Sequence, residues 1–76
     1  SKVAVLTVGE NTVYLEGAIG RSSVERTISA LEKLRLLGFK DATLVITSQG
    51  GSVLYGAELI NYIESSDLKV NTYCKI

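Results

Sequence analysis

"ATLVITSQGGSVLYGAELINYI", residues 42–63, changes its periodicity in the middle, and that change decides the fold class. Residues 42–47 are an apolar, β-branched run with no polar alternation, as expected for a central parallel strand covered on both faces. Residues 52–65 place Val53, Ala57, Ile60 and Glu64, or Leu59 and Ile63, at helical spacing. Between them Ser48-Gln49-Gly50-Gly51-Ser52 forms a strand-to-helix turn, with Ser52 suited to cap the helix. Open α/β sheets place ligands at such C-terminal strand ends.

Upstream, residues 3–8 read as a strand, Gly9-Glu10-Asn11 as a turn and residues 12–16 as a second strand with Val13 and Leu15 on one face. "GAIG" at 17–20 breaks regularity, and Ser22 with Glu25 three residues on has the pattern of a capping box, so a helix is expected to start near Ser22 or Ser23. Val24, Ile28, Leu31, Leu34 and Leu37 form its apolar stripe, Lys33 and Arg35 suit its negative end, and Gly38 is placed to end it. Downstream, Leu68, Val70, Thr72 and Cys74 alternate onto one face of a final strand. The order β-β-α-β-α-β predicts right-handed crossovers and an α/β fold with a mostly parallel sheet. No repeat or linker divides residues 1–76, which read as a single partial domain. A start at Ser1 and a strand running to Ile76 suggest a fragment of a larger domain.

Composition narrows the chemistry. A chain of 76 residues hides only about 60–65 % of its unfolded surface, and at 46 % hydrophobic residues some apolar surface is expected to meet a partner. Eight basic residues balance eight acidic ones and are scattered, so no electrostatic footprint for nucleic acid exists. No apolar run approaches membrane-spanning length and no leader pattern is visible, which points to a soluble, cytoplasmic protein without membrane contact. Cys74 is the single cysteine, expected as a small buried hydrophobe in a reducing compartment. With no histidine in the sequence, neither a Ser-His nor a Cys-His pair can be built from it, and no metal or cofactor is expected.

Three chemistries compete for the glycine turn. Gly51 and Gly56 have phosphate-loop spacing, but Ala57-Glu58 stands where Lys-Ser/Thr is required, and Glu58 would repel phosphate. "GGSVL" supplies Gly50 and Ser52 of a nucleophile elbow but ends in Leu54 instead of glycine. Main-chain N–H groups at Gly50 or Gly51 need no particular side chain to serve as an oxyanion hole. A tight connection is the plain structural alternative. Tyr14, Tyr55, Tyr62, Tyr73 and Phe39 read as packing residues and not as a base-stacking platform, and nothing brings Glu16 and Asp41 together as a carboxylate pair.

"VYLEG" at 13–17, the amphipathic helix, "TSQGGSV" at 47–53 and "VNTYC" at 70–74, in that order, resemble the N-terminal half of the Clp-type, crotonase-like serine peptidases. The resemblance implies that the turn donates an oxyanion N–H from Gly51, with Gly50 beside it, and that Ser52 and Val53 pair with an extended peptide substrate through the main chain. It also implies a ring-forming homo-oligomer, with Leu36, Phe39 and Leu54 as candidate subunit contacts, and a possible unfoldase or phage-assembly partner. Gln49 stands where the family has proline. The serine, histidine and aspartate of the triad would lie beyond Ile76. A STAS-type regulatory interaction domain has a similar element order and is the rival reading, although Ser48 and Ser52 lack the aspartate that precedes its switch serine. An acyl-CoA ligand of the crotonase kind is a third reading.

Overall fold

The computed structural model describes the backbone of Lys2–Val3 and all of residues 11–75. The elements are β1 (Lys2–Val3), β2 (Thr12–Glu16), α1 (Arg21–Leu36), β3 (Asp41–Thr47), α2 (Val53–Ser65) and β4 (Lys69–Lys75). They form a mixed α/β fold with one four-stranded sheet in the order β1-β2-β3-β4. β1 pairs antiparallel with β2, and β2, β3 and β4 run parallel. Most of the strand expected at 3–8, and most of the turn at 9–11, fall outside the described residues. Asn11 is described: its side-chain amide donates to Asp41 O (2.7 Å) and Oδ1 (2.8 Å), which ties the starts of β2 and β3 together.

The parallel sheet is as expected, but its cover is not. Ala42 and Leu44 on β3 are buried while the alternating Thr43 and Val45 are half-buried, so among the described residues one face is covered fully and the other in part. Both crossovers step one strand in the same direction, and crossovers of the same hand then place both helices on the same side. One core results: Val13 and Leu15 from β2, Val24, Leu31 and Leu34 from α1, Ala42 and Leu44 from β3, Leu59 from α2, and Leu68 before β4. The register puts Tyr14, Val45 and Tyr73 in one row on the other face.

Helix α1 starts earlier than its serine pattern suggests. Gly20 is the N-cap, and Ser23 takes the part given to Glu25: its hydroxyl accepts the Gly20 N–H (3.0 Å) and donates to Ala18 O (2.8 Å). Ser23 is buried, whereas Glu25 points to solvent; a short hydroxyl can close this bond inside the fold without stranding a charge there. The far end follows expectation. Gly38 adopts φ +98° and donates to Arg35 O, and Phe39 N–H donates to Leu34 O, the two bonds of a Schellman cap. Leu37 is therefore a C-cap residue and exposed, and its expected place in the stripe goes to Thr27, whose hydroxyl donates to Ser23 O (2.8 Å).

Of the two stripes on α2, the structure buries the second. Leu59 is in the core with Tyr55, Tyr62 and Ile63 against it. Val53, Leu54 and Ile60 face outward, Val53 at 88 % exposure. Cys74 is also exposed, contrary to expectation; it lies on β4, which ends the strand order and, among the described residues, has a neighbour along one side only.

The helices are joined by a polar clasp. Arg35 donates two bonds to the Glu32 carboxylate, each 3.0 Å, and the Tyr62 hydroxyl on α2 donates to Glu32 on α1. The Arg35 bonds, aided by the Tyr62 hydroxyl, hold the Glu32 carboxyl down at about 2, and burial, with the Glu32 bond, pushes the Tyr62 phenol up to about 12. A carboxylate pKa held below its unfolded value adds stability that is present above about 4.5 and lost as pH falls toward about 2. A phenol pKa raised above its unfolded value of 10 adds stability that is lost as pH rises from there through about 12. Thermal unfolding followed across pH should show both limbs. Glu32→Gln should flatten the acid limb, and an acid limb unchanged in that variant would show that the clasp does not link the helices energetically.

Candidate functional site at the C-terminal sheet edge

Two crossover turns meet where β2 and β3 end. Gly17, at φ +95°, donates its N–H to Thr47 O (3.0 Å), so the first turn leaves β2 against the last residue of β3. Ile19 then lies beside Gly51 as a parallel bridge: Ile19 N–H donates to Gly50 O (3.0 Å), and Ser52 N–H donates to Ile19 O (2.7 Å). The Ser23 hydroxyl on Ala18 O anchors the same turn to α1. The site is thus held by main-chain bonds between segments about 30 residues apart in sequence.

This bridge explains the double glycine. A methyl carbon on Gly51 would lie 2.2 Å from Ile19 O and 2.7 Å from Ile19 N, distances that no side chain tolerates. Gly51 also has φ +150°, and Gly50 has φ +114° with open space where its side chain would be. Gly51 is therefore required by a close approach of two backbones, and Gly50 by conformation alone.

Beside the bridge lies an open cavity of about 470 Å³ lined by Gly17, Ala18, Thr47, Ser48, Gln49 and Gly50. None of these residues is charged. The donors near it divide as follows. Gly50 lines the cavity, and its N–H donates to the Ser48 hydroxyl (3.0 Å). Gly51 N–H has no partner among the described residues, but Gly51 is not in the lining. Ser52 caps α2, its hydroxyl accepting from Tyr55 N–H (3.2 Å), while its own N–H is held by Ile19. Of the pair read as a substrate strand, Ser52 and Val53, only Val53 keeps an N–H without a partner among the described residues.

The other sequence candidates separate in space. Glu16 ends β2 at the site, beside Thr47, whereas Asp41 starts β3 at the opposite end, six residues and about 20 Å along the strands. Leu36 and Leu54 are exposed, but Phe39 packs against the core. Among the described residues no group of three or more His, Cys, Asp or Glu is placed to hold a metal ion, and no helix is long and apolar enough to cross a membrane. Sequence reading missed Ile19 and Ala18, because a residue that acts through its main chain leaves no side-chain signal. It weighed Ser48 only as a switch serine and not as a turn-forming hydroxyl, although a serine two residues before a glycine is a recognised side-chain turn.

No protein-family model matches this chain, and no curated protein matches it.

Proposed function

We propose that this chain supplies the main-chain wall of a serine endopeptidase site of the Clp type, binding a peptide carbonyl at the glycine turn while the nucleophile and its base come from outside these residues. The observation that carries the reading is a cavity with no charged lining residue beside main-chain donors at the start of a helix. No lining residue supplies a cation for a phosphate or an anionic ligand for a metal ion, and the nearest charges by strand register, Glu16 and Lys75, flank Thr47 outside the lining. A neutral carbonyl that gains negative charge during acyl transfer suits backbone N–H groups, each of which is worth about 3 kcal/mol at the transition state. Strands β2, β3 and β4 run parallel up to this turn, and an extended peptide laid along it would meet Val53 N–H.

The test is labelling of the full natural protein with a fluorophosphonate, which reacts with activated serines. The expected result is one labelled serine outside residues 1–76 and hydrolysis of unstructured peptide by the same protein. Absence of any labelled serine would overturn the reading. Phosphate accepted at Ser48 or Ser52 from a kinase, with no labelling, would move the chain to the regulatory-domain class.

A further inference from the structure

We infer that the Ser48 hydroxyl is an internal occupant of the donor site, holding the Gly50 N–H in the resting state and yielding it to a ligand carbonyl. The assignment rests on the peptide-carbonyl site proposed above and adds to it a built-in competitor. Ser48 Oγ lies 3.0 Å from Gly50 N and 3.1 Å from Gly50 O, and both residues line the same cavity. The oxygen therefore sits where a ligand oxygen would have to sit to use this donor.

The two ends of the turn are held differently. Gly50 O is fixed by Ile19 N–H across the bridge (3.0 Å), so the following peptide is clamped between the two crossovers. Among the described residues the Gly50 N–H is held only by the Ser48 side chain, whose hydroxyl also donates to Gly50 O (3.1 Å), and rotation about one Ser48 torsion releases the N–H while Ile19 keeps the carbonyl fixed. Exposed and half-exposed rotamers exchange in picoseconds to nanoseconds. The donor can thus be presented to a ligand without movement of the backbone, which already has the positive φ that only glycine adopts easily. Ser48 itself keeps a bond on release by turning to water or to the ligand, because a hydroxyl both donates and accepts.

Competition of this kind has a sign opposite to that of a binding residue. An intramolecular hydrogen bond is worth about 0.5–1.5 kcal/mol net, so its loss should tighten ligand binding roughly two- to tenfold. Ser48→Ala removes the competitor, and Ser48→Thr keeps the hydroxyl.

The experiment is a titration of the full chain with N-acetyl-tetra-alanine amide, followed by the amide resonances of Gly50 and Gly51, with thermal melting to show that each variant is folded. The expected result is a Gly50 shift that saturates two- to tenfold earlier in Ser48→Ala than in wild type, with Ser48→Thr like wild type. Equal or weaker binding in Ser48→Ala, with the Gly50 shift intact, would overturn the competitor role and leave the carbonyl site standing. No shift at the turn in any of the three proteins would overturn both.

Discussion

Gly51→Ala is expected to destabilise this fold by about 2–5 kcal/mol, the sum of a backbone forced into a region L residues avoid and an overpacked contact that cannot relax. The methyl would be driven into Ile19 O at 2.2 Å, and its neighbours there are backbone atoms held at both ends by hydrogen bonds. A chain of 76 residues has about 4–11 kcal/mol in total, so a large fraction is at stake. Urea unfolding should show a midpoint lowered by about 2 M or more, at a slope near 1 kcal/mol/M for a protein of this size. Gly50→Ala is the control, because it shares the positive φ but has open space around it; its loss should stay at about 1–3 kcal/mol. Equal losses in the two variants would mean that the Ile19 bridge does not hold the two crossovers together.

Leu44→Ala should be the most damaging truncation in the core. Leu44 is completely buried at the middle of β3, between β2 and β4, in the core to which both helices contribute. Truncation of such a leucine costs about 2–5 kcal/mol through lost burial and the cavity left behind. At about 4–8 °C per kcal/mol for a domain of this length, the Tm should fall by roughly 10 °C or more. Val53→Ala, on the outward stripe of α2 at 88 % exposure, should change stability by no more than about 0.5 kcal/mol. That contrast also tests which face of α2 meets the sheet. If Val53→Ala cost as much as Leu44→Ala, the helix would be docked by the stripe that the structure leaves in solvent.

The expected outcomes differ in what they probe because the residues act on different levels. Gly51 and Leu44 report on packing, the Glu32–Tyr62 clasp on the joint between helices, and Ser48 on the ligand-facing state of the turn. Glycine 51 also shows how a structural and a functional demand can share a position. Its missing side chain is required by Ile19, and that requirement holds whether or not the turn ever meets a carbonyl.

Much of the fold was legible because it follows from local chemistry. The β-branched run at 42–47, the alternation of Val13 and Leu15, and Gly38 in its left-handed cap each depend on near neighbours in the chain. Ser52 as the cap of α2 is of the same kind, an oxygen placed three residues before the N–H it accepts from. Errors arose where two local solutions were close in energy. Ser22 with Glu25 and Gly20 with Ser23 are both workable helix starts; burial of Ser23, with its second bond to Ala18 O, selects the latter. Val53, Ala57 and Ile60 make as good an apolar stripe as Leu59 and Ile63, and periodicity cannot say which one faces the sheet.

By itself the sequence determined the α/β class, the order of elements, the positions of both helices and the location of a glycine turn at a strand's end. Those depend on periodicity, caps and turn residues, which act over a few positions. Only the tertiary structure decided that both helices share one face, that Cys74 is exposed on an outer strand, and that Gly51 is pressed against Ile19. Only it placed the local Ser48–Gly50 turn in the wall of a cavity with no charged lining residue. The physical reason is the same throughout: these features depend on which backbone comes alongside which, and main-chain contact leaves no mark on residue type except where, as at Gly51, a side chain has no room.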